Sequence, residues 1–361
     1  MRVVSTASPS TRPVANWILI GVFMLFVQVI LGGITRLTGS GLSITEWNVI
    51  TGTLPPLNER HWIQEFDKYK QTPQYQLLNT DFTLRDFKFI FFWEWLHRFW
   101  ARLIGVVFIV GFVYLVSKKR LKRSMEKPLL ILFLLGALQG AVGWIMVASG
   151  LEGDAVYVKP TRLALHFTFA LGLISYAYWF ALQLLVPRTQ KVPAPSARNW
   201  CWLIIVLLFF QLIYGALMAG HKAATAAPTW PTINGMMVPD SMFVEKPVLL
   251  NLIENKITIH FVHRALAYIL LLTTLILTVK LYRLSRISPL LTKVRLIAFL
   301  LVCLQVGLGI VAVLTSTGII PNHWGAFEWT AQLHQLVAML FLLSLITILY
   351  LTKAKSFMQL S

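Results

Sequence analysis

The sequence predicts an all-α, polytopic membrane protein, with eight transmembrane helices forming two duplicated four-helix bundles. Three observations lead there. Of 361 residues, 57% are hydrophobic and the mean hydropathy is +0.69, well above the roughly 45–50% apolar content of soluble domains. Apolar runs of about twenty residues, the length that crosses a bilayer, occur at roughly 16–35, 89–116, 128–148, 162–186, 199–219, 256–281, 289–314 and 329–352. Runs of this kind are read as helices, because in lipid only helices and closed barrels satisfy every backbone group. Finally, one set of residue spacings recurs in both halves of the chain.

The elements follow in order. The first span comes after a short basic tail carrying Arg2 and Arg12, and it is too long for a signal peptide. The second opens with FFWEWLHRFW (91–100), and SKKRLKRSMEK (117–127) separates it from the third. The fourth ends at PRTQKVPAPSAR (187–198), a basic connection leading to the fifth. The sixth is the least clean because polar residues open it. Lys280 to Arg295 carry the basic charge around the start of the seventh, and Lys353 and Lys355 follow the eighth. This gives an N-terminal half at 1–187, a cytoplasmic linker at 188–198 and a C-terminal half at 199–361.

A net charge of +18 could suggest nucleic acid, but its distribution excludes that reading. The basic residues cluster in alternate connections, which is the positive-inside pattern of a lipid-embedded chain with both termini in the cytoplasm. The partner is a lipid bilayer, and no nucleic acid is expected. Cys201 and Cys303 both fall inside membrane runs, so the outer loops have no disulfide of their own.

The repeat is specific. Odd-numbered spans carry Gln followed by Gly four residues later: Gln28/Gly32, Gln139/Gly143, Gln211/Gly215 and Gln305/Gly309. Even-numbered spans carry His followed by Ala at the same spacing: His97/Ala101, His166/Ala170, His263/Ala267 and His334/Ala338. These are the marks of an internal duplication. Close helix packing is the favoured reading of the Gln/Gly pairs; the other is that the glycines make room for a flat ligand.

The four histidines lie within the first turns of helices that run inward, so they share one depth near the outer face. Ionisable groups inside a membrane are costly and mark functional sites. Zinc would require three or four closely spaced ligands. Two imidazoles from two helices, repeated twice, suit the axial positions of two haems instead. An Ala four residues on would leave space for a porphyrin plane. Arg98 and Arg264, next to their histidines, are candidates to pair with haem propionates; snorkelling to the interface is the alternative. Arg162 is a weaker candidate. The halves differ one turn before the first histidine, where Glu94 stands in one and His260 in the other. A carboxylate beside a porphyrin can shuttle protons or stabilise positive charge, so the first half is expected to do the chemistry. His61 reads as a surface residue, and His221 and His323 as incidental or rim positions.

These residues resemble the haem A synthase family, in its longer mitochondrial and proteobacterial branch. The likeness rests on GGITRLTGSGLSITEWNVITGTLPP (32–56), WIQEFDKYKQTPQY (62–75), EWLHR (94–98), LALHFTFA (163–170), AGHKAATAAPTWPTINGMMVP (219–239), HRALAY (263–268) and QLHQLVA (332–338). The resemblance implies oxidation of a methyl group of haem O to the formyl group of haem A by successive hydroxylations. It implies haem b as cofactor on His263 and His334, with Arg264 beside it. It implies haem O as substrate facing His97, His166 and Arg98, and Glu94 as the catalytic carboxylate. It places the protein in the bacterial cytoplasmic (inner) membrane, with its haem sites toward the periplasm, supplied by a haem O synthase and by a separate electron donor, and compatible with a homo-oligomer. The sequence departs from the family at Gln74, where Glu is expected, and near Asn48–Val49, where Pro is expected. The competing reading is a bis-histidine b-type cytochrome that only moves electrons. A repeat-built transporter is a more distant one, since transporters place their sites near the midplane.

Overall fold

The computed structural model describes residues 11–46, 53–284, 287–320 and 324–353. Arg2, Asn48, Val49, His323 and Lys355 lie outside the described residues. Among the described residues, eight helical segments are long and apolar enough to cross a membrane. They are α1 (Arg12–Leu37), α4 (Leu84–Ser117), α5 (Arg123–Ala148), α6 (Pro160–Leu185), α7 (Pro195–Gly220), α8 (Lys256–Tyr282), the segment Pro289–Gly318 that contains α10 (Ile297–Thr315), and α11 (Ala326–Leu351). The short helices α2 (Glu59–Lys70), α3 (Pro73–Leu78) and α9 (Pro289–Val294) complete the α-helical set. Each expected span is present within a few residues; the seventh is divided, α9 leading into α10. Among the described residues there is no strand, only an isolated bridge between Ile233 and Met236.

Local sequence sets the helix ends. Proline in the first turn starts α1, α3, α6, α7 and α9, where its missing N–H would be unpaired anyway. Thr83 and Asp86 form a reciprocal capping box at α4. Asn255 caps α8 by accepting from Ile257 and Thr258 N–H.

Each odd-numbered span packs on the next: α1 on α4, α5 on α6, α7 on α8, and α10 on α11. The centre is made by α1, α6, α7 and α11, with α6 touching α1, α7 and α11. Small side chains permit this, among them Ala177, Ala181 and Ala197. Two side-chain amides also staple α11 to α1: Gln332 donates to the Ile30 carbonyl at 3.2 Å and Gln335 to the Val29 carbonyl at 3.0 Å.

The apolar core is unevenly distributed along the bundle. The main cluster, including Val14, Leu115, Leu129, Ala181, Cys201, Leu281, Leu345 and Leu349, fills the end that carries the 187–198 linker. The opposite end carries the long connections 38–83 and 221–255. There a separate aromatic cluster of Phe66, Tyr69, Phe82, Phe87 and Phe91 roofs the first connection. Large apolar side chains such as Phe23, Val110 and Leu272 point outward, as a lipid-facing surface requires. The bundle is thus solid at the linker end and hollow toward the loop end.

Candidate functional site

The hollow is a cavity of about 1240 Å³ lined by His97, His166, His263 and His334 together. Its size exceeds the roughly 300–1,000 Å³ typical of a site for one small molecule. The four alanines one turn on, Ala101, Ala170, Ala267 and Ala338, also line it, so the H-x-x-x-A spacing marks one wall motif used four times.

The glycines have a more specific role than helix packing. A Cβ on Gly32 would lie 3.1 Å from His97 Cε1, on Gly143 2.9 Å from His166 Cε1, on Gly215 3.3 Å from His263 Cε1 and on Gly309 3.0 Å from His334 Cε1. Each glycine is therefore the seat of an imidazole ring. The paired glutamine holds the same histidine. Gln28 Nε2 donates to the His97 carbonyl at 3.1 Å, and Gln139 Nε2 to the His166 carbonyl at 3.1 Å. Both amides also lie 3.2 Å from the Nδ1 of their histidine, and Gln211 Nε2 is 3.4 Å from His263 Nε2. At the fourth position, His334 Nδ1 donates to the Gln305 backbone carbonyl at 3.0 Å. A carbonyl only accepts, so Nδ1 carries the proton and Nε2 is the nitrogen left for a metal.

Glu94 is 2% exposed and fully engaged. Its Oε2 accepts from Ser43 N–H at 2.8 Å, Ser43 Oγ at 2.7 Å and Ile44 N–H at 2.9 Å. Its Oε1 accepts from Arg98 Nη2 at 2.6 Å. Arg98 also donates to the Ile44 and Glu46 carbonyls. The guanidinium expected on a propionate is thus held by Glu94 and by the loop that Glu94 itself ties down. In the second half, Arg264 donates to the Thr229 and Thr232 carbonyls at 2.6 and 3.1 Å. One turn before His263, His260 is completely buried, with neither ring nitrogen partnered. Arg162 is exposed and does not line the cavity. His61 is exposed, and His221 ties the second connection by donating to the Ile253 carbonyl at 2.7 Å. Gln74 is buried, accepting from Tyr69 and donating to the Val156 carbonyl, so an amide replaces the expected Glu where both a donor and an acceptor are needed.

The second half brings two imidazoles together, a donor pair that would suit a haem iron. The His263 and His334 rings have centroids 6.3 Å apart, inclined at 65°. Among the described residues no ring contact joins His97 and His166, and no group of three His, Cys, Asp or Glu could hold a bare metal ion.

Sequence reasoning missed Ser43 and Ile44 as the brace on Glu94, and Gln332 and Gln335 as the staple to α1. Ser43 stands in the GSGLS segment, and both glutamines flank His334 in QLHQLVA, which was the available signal.

Fold and site define a polytopic membrane protein whose duplicated histidine motif lines a porphyrin-sized cavity. The sequence matches the COX15-CtaA family, described as cytochrome oxidase assembly protein, over residues 15–346. It is 46% identical over 272 residues to heme A synthase of Rhodospirillum centenum, covering 75% of this chain and 72% of that protein. It is 39% identical over 328 residues to heme A synthase of Allorhizobium ampelinum, covering 87% and 89%. With heme A synthase of Sinorhizobium medicae the identity is 38% over 330 residues, covering 91% and 88%. The chain belongs to this family, the haem A synthases, oxidoreductases of haem A biosynthesis.

Proposed function

We propose that this protein oxidises the methyl group of haem O to the formyl group of haem A by successive hydroxylations, the hydrated aldehyde then losing water. The observation that carries the proposal is the asymmetry between the halves. His263 and His334 bring their ring centroids to 6.3 Å, and this pair would hold a resident haem b. His97 and His166 are seated by the same Gln/Gly device, but one turn before His97 stands Glu94 where the second half has His260, which suits a porphyrin that is worked on rather than held. Bound haem b supplies a one-electron carrier beside the substrate.

The remaining steps belong to side chains. Gln305 and Gly309 set the His334 tautomer and ring position. Gln28 and Gln139 hold His97 and His166 toward the substrate iron. Glu94, with four donors on its two oxygens, is a fixed negative charge beside the first-half site rather than a mobile proton carrier. It stabilises positive charge developing at the carbon under oxidation. Arg264 fixes the second-half loop around the haem b edge. The positive-inside pattern places the linker end and both termini in the cytoplasm of a bacterium and the cavity toward the periplasm. Haem O arrives from a haem O synthase, and electrons from a separate donor.

Purified His97→Ala and His263→Ala variants test the division of labour. His263→Ala loses haem b, whereas His97→Ala keeps the haem b spectrum and does not bind added haem O. Equal loss of bound haem b in both would contradict the proposal.

A further inference from the structure

A porphyrin entering the first half brings two propionates, and the expected cation for them is already occupied: Arg98 is bound to Glu94 at 2.6 Å and to two loop carbonyls. Another cation lines the same cavity. Arg36 lies in the last turn of α1, four residues beyond Gly32. Residues four apart share a helix face, so Arg36 stands one turn nearer the loop end than the glycine on which the His97 ring rests.

The Arg36 guanidinium makes no hydrogen bond or ion pair with any described residue. The acid that acts on it is Glu328 of α11, and only through space. Glu328 is itself committed, accepting from Gly325 N–H at 2.8 Å where it caps α11. The dipole at the end of α1 favours a cation, but it does not provide the guanidinium with acceptors. A cation facing a cavity without a partner is the arrangement expected where an anionic ligand completes the site.

We propose that Arg36 binds a propionate of the substrate porphyrin, as a guanidinium–carboxylate ion pair on the loop side of His97. The proposal rests on the first half being the substrate site. It assigns the charge recognition of substrate to α1, at the contact between the halves, and leaves Arg98 as the residue that positions Glu94.

The test uses purified, haem b-loaded protein titrated with haem O and with its dimethyl ester, whose propionates carry no charge. Wild type binds the free acid more tightly than the ester by roughly tenfold or more, the effect of one charge-assisted hydrogen bond. Arg36→Gln lowers affinity for the free acid toward that of the ester, leaves the ester unchanged and keeps the haem b spectrum. A wild-type ratio of free acid to ester in Arg36→Gln overturns the proposal, as does a wild-type protein that binds both alike. If Arg36→Gln loses haem b, the ratio is read in Arg36→Lys, where loss of the planar fork lowers it and an unaltered ratio again overturns the proposal. His97→Ala weakens both ligands together; if it weakens neither, the substrate-site reading itself has failed, a separate result.

Discussion

Gly309→Ala isolates the role of the glycines. In an open helix position this change stabilises by roughly 0.5–1 kcal/mol. Here the added Cβ would lie 3.0 Å from His334 Cε1, against a favourable carbon–carbon separation of about 3.5–4.0 Å. The ring must retreat by about 0.5–1 Å, and it cannot do so while keeping its 3.0 Å bond to the Gln305 carbonyl. The 6.3 Å spacing to His263 is disturbed as well. Losing such support around a metal ligand typically costs 10–100-fold in affinity, so haem b occupancy falls by about that factor under limiting haem. Gly307 is the internal control, because a Cβ there meets nothing within 4 Å. The assay is pyridine haemochrome content, with absorbance spectra of the purified variants. Gly309→Ala with the haem b content and spectrum of Gly307→Ala would refute the reasoning.

Glu94→Gln places an amide NH2 against donors, Ser43 and Ile44 on one side or Arg98 on the other, and breaking this buried pair costs about 3–5 kcal/mol locally. Haem b is retained, oxidation of haem O stalls, and hydrogen exchange rises in residues 40–46; unchanged exchange there would show that Glu94 does not brace the loop. Tyr69 in the roof of the first connection donates to Gln74 at 3.0 Å and accepts from Asn79 at 2.7 Å. Burial pushes its hydroxyl up to about 12 from 10.0. The folded state then binds more protons than the unfolded one between these values, so the stability of the roof declines as pH rises through that window. Tyr69→Phe removes this alkaline dependence at a cost of about 1–2 kcal/mol, measured by hydrogen exchange of α2 and α3 against pH.

The fold was legible because lipid leaves the backbone few options. Apolar length alone located the eight spans, and proline and capping residues set their ends. The histidines were legible through their spacing, since His97, His166, His263 and His334 share an Ala four residues on and converge on one cavity. What could not be read was which partner each motif residue meets. Gln28 and Gly32 lie on one helix and His97 on another, so seating a ring on a glycine is a contact between helices that spacing within one helix cannot reveal. The same holds for Arg98. Adjacency to His97 suggested a propionate, whereas the i,i+4 relation to Glu94 and the fold of the 38–46 loop supplied nearer acceptors. Helices α2 and α3 escaped because their polar character carries no membrane signal.

Pigment analysis of cells addresses the central claim most directly. The chain is expressed together with a haem O synthase in cells that make no haem A, and the extracted haems are separated. Haem A, or the alcohol that precedes it, accumulating beside haem b is the predicted result. Only haem b and unaltered haem O, from folded protein with a working electron supply, would contradict it.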